Sequence, residues 1–270
     1  MENFRAYLVE QERSEATIEK YMRDVRKFVM WLDNRELNKS EVLAFKRQLE
    51  QEYKIASANS ILSAVNTYLS FIGRGDCRVR AFKSQKETFC SEEKELTKEE
   101  YERLLDASRD DPQLNLLMQT ICTTGIRVSE HKFITVEAVK AGKAVVTNKG
   151  KSRIVWLRKD LCKALKEYAR KRNIRSGSIF VTKNGNPLDR SRIWAEMKKL
   201  CEAARVLAEK VFPHNLRHLF ARMYYTLEKD IVRLADILGH SSINTTRIYT
   251  RESGEVHRRQ IERMPLLHIT

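Results

Sequence analysis

Apolar residues recur at helical spacing along most of this chain. From Ser14, a natural N-cap, the series Ile18, Tyr21, Met22, Val25, Phe28, Val29 and Leu32 falls on one face of a helix. A second helix is expected from Ser40 through Val42, Leu43, Phe45 and Leu49. A third is expected from about Ser57 through Ile61, Val65, Tyr68, Leu69 and Ile72, stopped by Gly73. With a short lead helix at 2–10, residues 1–76 read as a small helical bundle. The 270 residues contain only 9 Gly and 4 Pro, a scarcity of turn-formers that favours helix throughout.

The pattern breaks in two places. Residues 74–94, RGDCRVRAFKSQKETFCSEEK, are polar and aperiodic, which predicts a linker at 77–95 between the bundle and a second domain at 96–270, with a tail from about 252. That domain opens with LTKEEYERLL, where Thr97 and Glu100 stand at capping-box spacing. The second break is 143–157, where the β-rich runs KAVVT and RIVWL flank NKGKS and predict a β-hairpin. Helices follow at 159–173, 189–204, 214–226, 230–238 and 242–248. The fold class is therefore mainly α with a small antiparallel β-sheet.

Charge points to the partner. The net charge of +15 suits a polyanion, most often nucleic acid. It is uneven: residues 1–90 carry 16 Lys and Arg against 13 Asp and Glu, a net of +3, so the remainder carries +12. Five cysteines, none at CxxC spacing, argue against a disulfide framework or a zinc site and suit a reducing, cytoplasmic setting. MENFRAYLVEQERSEAT has no apolar signal region, and no run approaches the ~18 apolar residues of a membrane span.

Four stretches carry chemistry: TGIRVSE (124–130), TNKGKSR (147–153), PHNLRH (213–218) and LGHSSINTTRIY (238–249). Each alone has a plain structural explanation: a surface His/Arg pair, a solvated hairpin lysine, a core histidine, a packing tyrosine. Together, Arg127, Arg217, His214 and His240 form a set able to clamp the non-bridging oxygens of one phosphate. The Tyr249 phenol could attack that phosphorus, and Lys149 could protonate the departing oxygen, with Lys151 as its rival. No metal or cofactor is expected, since the arginines already neutralise the phosphate.

In this order, these stretches resemble the motifs of the tyrosine recombinases, the family of phage-type integrases and of Xer- and Cre-like enzymes. The family pattern is an Arg in a TGxRxSE context, a hairpin Lys, HxxR, then LGH with a Tyr nine residues on. It is met at Arg127, Lys149, His214, Arg217, His240 and Tyr249. The chain departs from it at His131, where Leu is usual after SE, and at Trp156, where the hairpin usually ends VPL.

The resemblance implies a helical core-binding domain and an α+β catalytic domain closing around double-stranded DNA as a C-shaped clamp. It implies site-specific recombination through a 3′-phosphotyrosine on Tyr249, without ATP. The protein would be a monomer in solution and a homotetramer in the synaptic complex, its tail docking on the neighbouring protomer. A phenol, with a pKa of ~10, needs help to lose its proton, and His214 is the candidate acceptor. Glu130 would orient a cationic neighbour. With nothing ahead of the bundle, recognition of distant arm sites is not expected. Two alternatives stay open: a helix-turn-helix transcription regulator, in which SINTTRIY would be the recognition helix, and a type IB-like topoisomerase.

Overall fold

A computed structural model describes residues 1–83, 95–148, 150–240, 242–249 and 262–263. The chain divides into two compact units, Met1–Glu87 and Thr88–Thr270.

The first unit is built from α1 (Glu2–Glu10), α2 (Glu15–Leu32), α3 (Lys39–Glu52) and α4 (Ile55–Phe71). The α2 stripe of Ile18, Met22, Val25 and Phe28 is buried as its spacing predicts. Phe28 meets Phe45 and Leu49 of α3 and Leu62, Val65 and Leu69 of α4 in one cluster, while Ile18, Met22 and Val25 pack with Phe4 and Leu8 of α1 and Ala64 of α4 in another. The second helix starts before Ser40, because Asn38 is the stronger cap: its side-chain oxygen accepts from the Glu41 N–H at 3.0 Å. After Gly73 the chain makes one 3₁₀ turn, Gly75–Cys77, and then runs extended along α4. Asn66 accepts from the Val79 N–H at 2.9 Å and donates to the Val79 carbonyl at 2.8 Å. Asn59, two helical turns earlier, holds Phe82 in the same way at 2.7 and 3.0 Å. Cys77 and Val79 are buried beneath this strap, a placement that loss of periodicity alone would not suggest.

The second unit begins with α5 (Lys98–Ala107), whose Thr97/Glu100 capping box forms as expected. Next come α6 (Pro112–Thr124), with Asp111 as cap and Pro112 in its first turn, and α7 (Val136–Ala141). Neither is marked by a clear one-faced period in the sequence, since α6 is buried on several sides. Strands β1 (Lys143–Asn148) and β2 (Lys151–Trp156) form the predicted antiparallel hairpin, in a register from Lys143↔Trp156 to Asn148↔Lys151. Helices α8 (Lys159–Lys171), α9 (Arg190–Lys199), α10 (Cys201–Ala204), α11 (Pro213–Glu228), α12 (Ile231–Leu238) and α13 (Ile243–Thr246) follow. Helix α13 runs directly into a 3₁₀ turn, Arg247–Tyr249. The core gathers Leu104, Met118, Ile121, Ile134, Val146, Leu165, Phe180 and Leu216. No described helix is long and apolar enough to cross a membrane.

Candidate active site

The site forms where the ends of α6 and α12 meet the start of α11. Helix α6 stops at Gly125, whose φ of +67° suits glycine, and a side chain there would collide with Phe220 and Leu238. Arg127 follows in extended conformation and caps a 3₁₀ turn, Val128–Phe133. Three residues on, Glu130 reaches back: one carboxylate oxygen accepts from the Arg127 N–H at 2.8 Å, the other from Arg127 Nη1 at 2.9 Å.

Glu130 is 1% exposed. Arg153, on the inward face of β2, closes on the same carboxylate with Nη1 to Oε1 at 3.0 Å and Nη2 to Oε2 at 2.7 Å. Burial alone would raise the Glu130 carboxyl, but hydrogen bonds from Arg153 and from the Arg127 N–H hold it down at about 2.

On α11, Pro213 supplies a preset first turn, and His214 and Arg217 share a face, as their spacing predicts. Arg217 is 1% exposed, and no carboxylate among the described residues pairs with it. Its Nη1 donates to the Gly125 carbonyl at 2.5 Å, and its Nη2 to the Leu238 carbonyl at 2.8 Å and to His240 Nε2 at 3.0 Å. One guanidinium thus joins three of the four motif segments.

Arginine can only donate, so His240 Nε2 is the acceptor; Nδ1 therefore carries the proton and donates to Thr246 Oγ1 at 2.8 Å. Burial and the neighbouring Arg127 lower the Arg217 guanidinium to about 10, while the hydrogen-bonded Tyr249 hydroxyl favours its charge. It stays a cation at neutral pH.

The three histidines are uncharged at neutral pH. Burial, then Arg217, lowers His214; the same two causes, in that order, push His240 down to about 4. Burial and His214 push His218 to about 3. His218 touches both neighbours, its ring centroid 4.6 Å from His214 and 4.8 Å from Tyr249. The Tyr249 ring also stacks on His240 at 5.9 Å. Arg127, His214 and Arg217 line a cleft of about 540 Å³, joined by Arg190 and Trp194 of α9.

Five of the six residues expected at the site are therefore described, and the structure brings them together. Lys149 lies outside the described residues, as does the tail from about 252 apart from 262–263. Its rival Lys151 is exposed at the start of β2, opposite Asn148. Glu130 does orient a cationic neighbour, and it holds two. His131 is a packing residue: it is buried, its Nδ1 lies 2.5 Å from the Val128 carbonyl oxygen, its ring sits edge-on to Phe180, and burial lowers its pKa. Trp156 stands 71% exposed on the outer face of the hairpin.

Sequence reasoning missed Arg153, His218, Arg190 and Thr246. Strand alternation could have placed Arg153 on the inner face. His218 follows Arg217 directly in a quoted motif. The helix-turn-helix alternative lacks its reading helix, for α13 spans four residues, and Thr246 and Tyr249 are buried.

Residues 94–255 match the phage integrase family, and residues 1–74 match the N-terminal SAM-like domain of phage integrases. The tyrosine recombinase XerA of Pyrococcus furiosus is 31% identical over 278 residues, spanning 99% of this chain and 94% of that protein. Among solved structures, the XerH site-specific recombinase bound to palindromic difH substrate, a post-cleavage complex, superposes with a TM-score of 0.74 at 20% identity, covering 91% of this chain and 79% of the other. A lambda integrase tetramer bound to a Holliday junction superposes with a TM-score of 0.72 at 20% identity, covering 92% and 75%. With both units matched in order along nearly the whole chain, this protein belongs to the phage integrase family and is a site-specific tyrosine recombinase.

Proposed function

We propose that this recombinase cuts double-stranded DNA by attack of the Tyr249 oxygen on the scissile phosphorus. The bond from phosphorus to tyrosine forms as the bond to the 5′ oxygen breaks, leaving a 3′-phosphotyrosine and a 5′-hydroxyl. The hydroxyl of a partner strand then attacks the same phosphorus and returns the tyrosine, so the bond energy is conserved and no nucleotide is consumed. Arg217 and Arg127 face the two non-bridging oxygens, and His240 adds a donor by turning its Nδ1–H from Thr246 to the phosphate. His214 accepts the phenol proton, with His218 in contact with both rings. Lys149 supplies the proton for the leaving oxygen.

The observation that carries this reading is Arg217: a buried cation held by two carbonyls and an imidazole, beside Tyr249, with no acid of its own among the described residues. Such a site is complete only with an anion. The XerH and lambda integrase complexes, bound to difH substrate and to a Holliday junction, support DNA as that partner and a tetramer of this chain as the working assembly. A cytoplasmic setting fits the same reading.

Tyr249→Phe tests it. The variant is expected to bind its DNA site with unchanged affinity and to form no covalent adduct on a denaturing gel. Persisting adduct would move the nucleophile elsewhere. Exchange of strands between two sites, rather than relaxation of one duplex, separates recombination from the topoisomerase alternative.

A further inference from the structure

Arg153 touches more of the site than its place in a hairpin strand requires. Besides both oxygens of Glu130, its Nε donates to the Ile237 carbonyl at 3.1 Å, in the last turn of α12. Its Cδ fills the space that a Cβ on Gly239 would need, 2.9 Å away, which together with a φ of +65° accounts for the glycine before His240. Hairpin, Arg127 loop and LGH turn therefore meet on one side chain.

We propose that Arg153 is a positioning residue for cleavage: by saturating Glu130 it keeps Arg127 turned toward the phosphate. A carboxylate offers about four acceptor sites. Here Arg153 takes one on each oxygen, the Arg127 N–H takes one, and a single Arg127 Nη1 takes the last, while Asn148 Nδ2 reaches Oε1 only at 3.5 Å, the outer limit of a hydrogen bond. Exposure of the side chains rises from Glu130 at 2% through Arg153 at 13% to Arg127 at 30%. The acid is sealed inside, and the cation lining the cleft is the one left open. Remove Arg153, and a buried carboxylate with two free acceptor sites faces the Arg127 fork, which matches a carboxylate bidentately. Arg127 then closes on Glu130 and its donors are withdrawn from the cleft.

The inference rests on the reading of Arg127 as a phosphate ligand, and the test separates the two. Single-turnover adduct formation is measured on a nicked duplex carrying either the ordinary scissile phosphate or a methylphosphonate, in which one charged oxygen is a methyl group. The proteins are wild type, Arg127→Ala, Arg153→Ala, Arg153→Lys and the double alanine variant.

Arg153→Ala is expected to slow adduct formation about 100-fold on the ordinary phosphate, the scale of a misplaced contact, with DNA binding changed by less than about 3-fold. The double variant should be no slower than Arg127→Ala, since residues acting through one another are not additive. Arg153→Lys, which keeps the charge but not the fork, should stay slow. On the methylphosphonate, with less charge to balance, both single alanine variants should recover. The ratio of the two rates within one variant does not depend on the fraction folded, so partial misfolding leaves it readable.

If Arg127→Ala recovers on the methylphosphonate while Arg153→Ala does not, or if the two losses multiply, Arg153 acts on the fold alone and the inference is overturned. If Arg127→Ala cleaves the ordinary phosphate at full rate, the assignment of Arg127 fails first and takes the inference with it.

Discussion

Asn59 and Asn66 in the first unit, and Glu130 and Arg217 in the second, each fasten irregular backbone to a helix or turn. The two asparagines do it with neutral amides, each giving one hydrogen bond and taking one. Every polar atom involved is satisfied, and nothing is left over for a ligand. In the second unit the fastenings are ionised. Glu130 binds two guanidiniums, so its knot carries a net positive charge, and Arg217 donates from Nη1 and Nη2 to two carbonyls and a histidine, which leaves its Nε without a partner among the described residues and its charge uncancelled. The first unit is held together by groups that end in themselves. The second is held together by groups whose field is completed from outside. The fastenings of the first unit therefore serve structure alone, while those of the second leave positive charge that an anion can complete.

The largest effect should come from breaking the unpaired fastening. Arg217→Met removes the cation and keeps much of the side-chain volume. Adduct formation is expected to fall at least ~1000-fold, the order seen when a donor aimed at developing charge is lost. Stability should fall less than activity suggests, because the variant no longer buries an uncompensated charge, although the Gly125 and Leu238 carbonyls lose their donor. Urea denaturation beside single-turnover cleavage gives both numbers. Cleavage within ~10-fold of wild type would remove Arg217 from the phosphate.

The same contrast explains what was legible in the sequence. The stripes on α2 and α4, the Thr97/Glu100 box and the alternation of β1 follow from local rules, and the residues obey them. The convergence of His214, Arg217, His240 and Tyr249 was readable because their motif order is distinctive. Alternation could put Arg153 on the inner face, but its role was not readable, since its partner lies 23 residues away. Helix α6 was missed because it is buried on several sides, and polar residues such as Asn115 and Gln119 are themselves partly buried. The strap at 77–82 was missed because its signal is two asparagines on α4, residues that usually mark turns. Long-range pairing of polar groups is what a local reading lacks.

A smaller effect, on stability, should follow from neutralising the shared acid. Glu130→Gln leaves two guanidiniums around an uncharged amide and is expected to cost roughly 3 kcal/mol, within the range for breaking a buried ion pair. The pH dependence gives an independent check. The Glu130 carboxyl is lowered from 4.5 to about 2 on folding, a depressed acid. Its contribution is therefore fully present above about 4.5 and lost as pH falls toward 2. Wild type should lose roughly 3 kcal/mol more than Glu130→Gln across that window, at ~1.4 kcal/mol per pKa unit. Parallel curves for the two proteins would mean that the knot contributes no net charge stabilisation.

The smallest effect, and the sharpest test of the contrast itself, is in the first unit. Asn66→Ala removes both hydrogen bonds to Val79, whose side chain is buried. With Asn59 still holding Phe82, the expected cost is about 1–2 kcal/mol, that of a backbone pair left partly unsatisfied. Neither partner titrates, so the loss should be the same from pH 4 to pH 8, and adduct formation at saturating DNA should change by less than about 2-fold. Asn66→Asp then converts this neutral fastening into an ionised one. The introduced carboxylate still accepts from the Val79 N–H, but its other oxygen faces the Val79 carbonyl, which cannot donate. Two acceptors opposed in this way favour the protonated acid, so the introduced group has a raised pKa in the folded state. Stability is then kept at low pH and lost as pH rises through that value, opposite in sign to Glu130. Asn66→Asp should lie close to wild type near pH 3 and below Asn66→Ala near pH 7. A difference from wild type that does not vary with pH would show that the strap moves away from the new charge, and that the amide is one means among several of holding it.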